Sequence, residues 1–307
     1  MLLDVQVPLY VGNNGPVGNI ATLTNKGVEF ELGYTRNFGE VNFKINGNAA
    51  FIKNNIEFLG DDKEFLNGAR ITPQQLEITR TAVGHAIGSF FGYRSEGLFQ
   101  NAAEVANYKS AAGTPIQPNA KPGDIRFADL NGDGSISDAD REFLGDPTPD
   151  VSYGLTVSAA WKGFDVLVFG QGVAGNQIFN ALRRFDLPSS NFTTAGLGRW
   201  TGEGSTNSFP RLTTDDGNQN FSRVSKMFIE NGDYFRIKTM QIGYTLSNNI
   251  SKKVGLDKVR FYIMSNNLLT FTKYSGYDPE IGGGSYGIDR GYYPQARTYL
   301  FGLNLGF

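Results

Sequence analysis

The sequence predicts an all-β chain of about ten antiparallel strands, and three observations carry that prediction. Apolar and polar residues alternate through several long runs, the period of a strand with one wet face. Short turns and long loops follow one another in regular order, so the short connections gather on one rim of the sheet and the long ones on the other. The composition agrees: 24 Phe, 14 Tyr and 39 Gly, with 19% charged residues, suit strands joined by turns. Two architectures share this pattern, an antiparallel transmembrane β-barrel segment and a soluble β-sandwich.

Residues 2–9 read as a short strand stopped by Pro8 and the Gly/Asn cluster behind it. Val28, Phe30, Leu32 and Tyr34 then oppose Glu29, Glu31, Gly33 and Thr35, while Val41, Phe43, Ile45 and Phe51 oppose Asn42, Lys44 and Asn46. Only residues 37–40 separate the two runs, which makes a tight hairpin. Residues 54–73 form a loop with acidic turns, and 75–82 and 89–100 are weaker strands joined across 84–88. The first long loop, 101–150, holds a short helix over 102–112.

Val151, Tyr153, Leu155, Val157, Ala159 and Trp161 next alternate with Ser152, Gly154, Thr156 and Ser158, and a turn at Gly163 returns the chain through 164–172. The second long loop, 173–232, carries a helical turn at 177–185. Strands resume at 234–246, with Tyr234, Met240, Ile242 and Tyr244 on one face and Lys238 on the other, and at 258–272. The third long loop, 273–294, precedes a last strand in which Tyr299, Phe301, Leu303, Leu305 and Phe307 oppose Thr298, Gly302 and Asn304. Lipid accepts the first face of such strands and a hydrated lumen the second. Tyr153, Trp161, Tyr299 and Phe307 stand at strand ends, where an interfacial girdle sits.

Several functions are excluded early. The formal net charge of -2, with no basic block, gives nucleic acid no purchase. Without cysteine there is no disulfide framework, Cys-based zinc site or thiol nucleophile, and the single histidine, His85, lacks a second for a zinc site. No run of 18 apolar residues could form a membrane helix, and the N-terminus lacks a basic leader, so either the protein is cytoplasmic or this chain is a piece whose targeting segment lies elsewhere. Neither a serine elbow nor a triad surrounds His85, and the acidic pairs Asp61-Asp62 and Asp215-Asp216 lie in polar loops. An enzyme is not expected.

The loop from Asp129 to Asp140 carries more chemistry. Asp129, Asn131 and Asp133 occupy positions 1, 3 and 5 of a calcium loop; Gly134 stands at the sharp turn, and Ser135 offers its carbonyl at position 7. Asp140 closes the loop where an EF-hand places a longer Glu, so affinity of the extracellular grade, about 10⁻⁴–10⁻³ M, is expected for a structural Ca2+. The alternative is a loop of Asx-turns that holds itself together without metal. Gly282, Gly284 and Gly287 match G-x-G-x-x-G by letter only, with no strand–helix context. Loop aromatics are better ligand candidates: Trp200, Tyr274, Tyr277, Tyr286, Tyr292 and Tyr293 could stack on sugar rings or peptide side chains, or else pack the loops together.

The segments LLDVQVPL, NKGVEFELG, GSFFGYRSEGLFQ, PGDIRFADLNGDGSISDADREFLGDPTPDVSYG, FGQGVAGNQIFN, NGDYFRIKTMQIGYTL, VRFYIMSNNLLTFTKYSGYDPE and YYPQARTYLFGLNLGF, in this order, cover most of the chain. Together they make it resemble the C-terminal barrel portion of SusC/RagA-type TonB-dependent outer-membrane transporters. The resemblance implies a fragment, 1–307, of a plugged barrel of about 22 strands, with short periplasmic turns and long extracellular loops, in the bacterial outer membrane. It implies uptake of large nutrients (oligosaccharides or peptides) together with a SusD-like surface lipoprotein, with energy from the TonB complex through an N-terminal part this sequence lacks. Asp278, Pro279 and Glu280 fall in the family's last surface loop, and Phe307 matches its barrel-assembly signal. The competing reading is a secreted, calcium-dependent β-sandwich that binds glycans.

Overall fold

The computed structural model describes residues 2–4, 17–60, 63–70, 77–183, 190–281 and 286–307. Its framework is one seven-stranded sheet: β1 (Thr22–Phe38), β2 (Val41–Phe58), β3 (Val151–Trp161), β4 (Phe164–Ala174), β5 (Tyr234–Thr245), β6 (Lys258–Thr272) and β7 (Thr298–Gly306). Neighbours in sequence are neighbours in space and every pairing is antiparallel, so the sheet is an up-and-down meander. Among the described residues β1 and β7 each keep one edge unpaired by the sheet, and the barrel does not close.

Turn chemistry fixes the short rim. Gly39, with φ +62, opens the two-residue turn between Phe38 and Val41. Lys162 and Gly163 both have positive φ between the paired Trp161 and Phe164, the requirement of a type I′ hairpin. The third connection on that rim, 246–257, contains the short helix Asn248–Ser251. Connections 59–150, 175–233 and 273–297 all leave from the opposite rim.

Alternation gives this sheet two unlike faces. Val28, Leu32, Phe261 and Leu303 are more than half exposed, and Phe301 is 86% exposed. No second sheet covers that face among the described residues, which sets the sandwich aside. Its aromatics form two rows. Phe30, Tyr153, Phe235 and Phe271 share one row in register near the long-loop rim, with Tyr153 and Phe235 stacked at 6.1 Å across Gly172. Trp161, Phe164, Tyr244 and Phe261 share the other. Tyr153 and Trp161 are about 27 Å apart along their strand, the scale of an outer-membrane apolar band. The opposite face presents Asn46, Asn48, Thr156, Gln171, Arg236 and Gln241 in register.

The packed core lies outside the sheet. Ile78, Phe90, Leu144, Phe179, Val224 and Ile288, drawn from all three long connections, form one buried cluster. Tyr93, Leu98, Ile125 and Phe127, with Trp200 beside them, form a second. Ala21, Ile56 and Leu59 join the cap to the rim. The long connections therefore fold on one another as a cap.

Several element boundaries differ from the sequence reading. Of its ten strands seven build the sheet; the others are short pieces near the rim or in the cap. Leu2–Asp4 pairs with Val17–Asn19, while 5–9 lie outside the described residues. Thr79–Ala82 and Ser89–Tyr93 belong to a four-stranded cap sheet, with 75–76 also outside the description, and Ser95–Leu98 pairs with Ile125–Phe127. The helix at 102–112 is shorter, Ala102–Asn107. Of the helical turn at 177–185, the first residues are instead a strand, Gln177–Asn180, with Ile178 and Phe179 both buried and Phe179 in the first cap cluster, while 184–185 lie outside the described residues. A bulge between Ile237 and Thr239 moves Tyr234 to the polar side, where it is buried, and turns Phe235 and Ile237 outward. Asp61-Asp62, Gly282 and Gly284 fall outside the described residues.

Candidate functional site

Within the cap, residues 129–140 wind as a chain of Asx turns. Asp129 accepts from Gly132 N at 2.8 Å and Gly134 N at 2.9 Å, and both glycines have the positive φ that such tight turns need. Asp133 accepts from Asn131 Nδ2 and from the amide and hydroxyl of Ser135, each at 2.9 Å. These bonds, Asn131's first, hold its carboxyl below the usual range although the residue stays in solvent. Asp140 is different: fully buried, it accepts from Leu130 N at 2.8 Å and Ser137 N at 2.7 Å, clipping the loop to its own base. Asn131 in turn accepts from Asp133 N at 2.9 Å, so the side-chain oxygens of Asp129, Asn131, Asp133 and Asp140 all accept hydrogen bonds from within the loop. Among the described residues no three acidic or imidazole side chains converge closely enough to hold an ion by themselves.

The loop is tied to the cap core from two sides. Tyr93 donates to Asp138 at 3.0 Å, and burial together with that bond raises its phenol to about 12. Arg223 donates to Ile136 O and lies over the rings of Tyr93 and Phe127. At the loop's exit Arg141 bonds the buried Glu77 and the carbonyls of Glu77 and Phe91. Burial pushes Glu77 up, yet hydrogen bonds from Arg80 and its own backbone, with the charge of Arg141, hold it below its ordinary value.

The aromatic candidates separate into two groups. Trp200 and Tyr274 are built into the structure: Trp200 donates to Gln100 at 3.2 Å against the second core cluster, and Tyr274, 6% exposed, donates to Asp289 at 2.7 Å. Burial and the Asp289 bond push the Tyr274 phenol up. Tyr277, Tyr286, Tyr292 and Tyr293 stay exposed on the third long connection. Phe307, 91% exposed, follows β7 directly.

Two polar clusters were not legible in the sequence. Arg236 on β5 is 2% exposed and pairs with Asp278 and, at 2.8 Å, with Glu280, while Lys238 bonds the same Glu280 at 2.7 Å. The third long connection is thereby fastened down onto the polar face of the sheet. Asp124, fully buried, binds Arg211 at 2.6 Å and Asn220 at 2.8 Å, which joins the first connection to the second. The partners lie 42 to 96 positions apart. Two cations, Arg236 and Lys238, within one strand run and the acidic turn Asp278-Pro279-Glu280 are the sequence signals that could have suggested the first.

No family model matches the chain. Among individual proteins it is 33% identical, over 323 aligned positions, to TonB-dependent receptor P3 of Formosa agariphila, covering all of this chain and 31% of that protein. It is 26% identical to TonB-dependent receptor SusC of Bacteroides thetaiotaomicron, covering all of this chain and 29% of that protein. The chain thus spans less than a third of the length of these relatives. The fold superposes on a structure of the RagAB peptide importer in its open-open state with a TM-score of 0.74 at 22% identity, over the full chain and 31% of the solved one.

Proposed function

We propose that this chain, related along its whole length to TonB-dependent receptors, is the C-terminal wall and loop cap of an outer-membrane importer of large nutrients. One observation carries the reading. A meander with an exposed apolar face, an opposite polar face and, among the described residues, its two larger packed clusters in the loops of one rim is built for a wall between lipid and water. The remaining strands, the plug and the segment that engages the TonB complex belong to the rest of the protein. The cap faces outward, where Tyr277, Tyr286, Tyr292 and Tyr293 meet an oligosaccharide or peptide and where a SusD-like lipoprotein closes over the lumen.

Resident calcium fits the 129–140 loop as a stiffener of that cap. Asp129, Asn131, Asp133 and the Ser135 carbonyl supply the oxygens a hard cation takes, and Asp140 braces them. Calorimetric calcium titration of the full-length protein tests this against Asp129→Ala and Asp133→Ala. Indistinguishable titrations remove the cation.

Transport is tested in cells producing the full-length protein, alone and with its surface lipoprotein, by uptake of labelled oligosaccharides and of labelled peptides. Accumulation of one class that stops when TonB is deleted is expected. Uptake indifferent to TonB overturns the proposal.

A further inference from the structure

On the polar face of the sheet, beside the aromatic row of the long-loop rim, Glu31, Asn48, Gly154, Gln171 and Arg236 stand in register from β1 to β5. At its β5 end this row is covered. Arg236 and Lys238 hold the Asp278-Pro279-Glu280 turn there, so a stretch of peptide lies on the face with its carboxylates against two cations. From β1 to β4 the row is open and the sign reverses. A trough of about 570 Å³ is lined by Glu29, Glu31, Asn48, Ser152, Phe169 and Gln171, with two carboxylates and no cation in its walls. Its floor is made of small residues: Ala50 is paired with Ser152, and Gly154 follows on the same face. An added Cβ at Gly154 would meet Asn48 Oδ1 at 2.8 Å and Phe169 Cε2 at 3.6 Å, so the amide and the ring close over bare backbone. Glu29 and Glu31 are exposed and have no ion-pair or hydrogen-bond partner among the described residues, whereas Arg260 on the same face is answered by Asp165. Two like charges on one face of a strand repel, and a cation seated between them removes the repulsion.

Resting on the importer reading above, we infer that this trough receives the basic side chains of an imported peptide. An ammonium or guanidinium makes charge-assisted hydrogen bonds to Glu29 and Glu31, and the ring face of Phe169 attracts the same cation. Asn48, Ser152 and Gln171 offer donors and acceptors to the main chain of the guest. The seated turn shows that this face accepts peptide held by its side-chain charges. Because that turn fills the cationic end of the row, the acidic end is what remains for a guest. Sugar hydroxyls would satisfy the amides and leave both negative charges unneutralised.

The full-length protein in nanodiscs is titrated calorimetrically with a short peptide carrying a central Lys-Lys pair, with the same peptide acetylated on both lysines, and with an oligosaccharide of glucosamine. Wild type is expected to bind the lysine peptide about tenfold more tightly than the acetylated one, and Glu29→Gln/Glu31→Gln to bind the two alike. Added salt should shrink the wild-type preference. Equal affinity of wild type for the two peptides, or a preference that survives in the double variant, overturns the subsite. So does a glucosamine oligosaccharide bound by wild type as tightly as the lysine peptide and lost in the variant, because amino sugars are then the guests. Acetylation removes the charge from the peptide itself, so the comparison on wild type decides the matter even where the variant inserts poorly in the heat-modifiable gel shift. TonB-dependent uptake of oligosaccharides with no peptide bound overturns this inference and leaves the importer. Uptake indifferent to TonB overturns both.

Discussion

Tyr93 shows how one side chain in the cap couples the 129–140 loop to the core. Its ring is buried among Leu98, Ile125 and Phe127, and its hydroxyl reaches Asp138. Tyr93→Phe keeps the packing and removes one hydrogen bond to a charged acceptor, a cost of about 1–2 kcal/mol in thermal melts of the full-length protein. Because the folded phenol is raised to about 12, its contribution is complete below the unfolded value near 10 and is lost as pH rises through 12. The phenolate absorbance of wild type less that of Tyr93→Phe should therefore rise by one phenol in that window. Glu77 has the opposite sign. Its folded value is held below the unfolded one, so its contribution is present above about pH 4.5 and disappears as pH falls further. Melting temperatures measured from about pH 6 to pH 3 should fall less steeply for Glu77→Gln than for wild type. At the junction of two connections, Asp124→Ala would leave Arg211 and Asn220 without their buried acceptor, a loss of about 3 kcal/mol visible in the same melts.

Among the elements, β3 offers the sharpest contrast because adjacent residues meet opposite surroundings. Leu155 lies in the apolar face between Gly47 and Gly170, whereas Thr156 lies in the polar one between Asn46 and Phe169. Leu155→Arg should cost about 2–4 kcal/mol in bilayer folding titrations, and Thr156→Arg far less. Equal effects would mean that both faces see the same solvent. The hairpin joining β3 to β4 depends on backbone conformation in the same local way. At Gly163 φ is +88 and an added Cβ would meet Thr245 O at 2.6 Å, so Gly163→Ala should slow assembly of the β3–β4 pair and lower the yield of heat-modifiable protein.

For the whole molecule, the distribution of packing decides behaviour. The cap has the buried core of a water-soluble fold, while the sheet has an exposed apolar face and two edge strands. Expressed alone in detergent-free buffer, residues 1–307 should associate through that face and those edges. Light scattering is the check, and a stable monomer would contradict the wall reading. The fastening of Asp278 and Glu280 to Arg236 and Lys238 couples the last loop to the wall and sets what the third connection leaves open.

The strands of the sheet, their faces everywhere but at the start of β5, and the order of short and long connections can be read from the amino-acid order. Period-2 alternation and turn residues are local properties, readable at Val151–Trp161 and at Lys162–Gly163 without knowing what lies across from them. The tertiary structure alone decided which loop aromatics are core and which are surface, as Tyr274 and Tyr293 show, and where a bulge reverses a face, as at Tyr234. It also decided which charges meet. Arg236 with Asp278 and Lys26 opposite Lys53 depend on chain segments far apart in sequence being brought into register, and no local pattern encodes that distance.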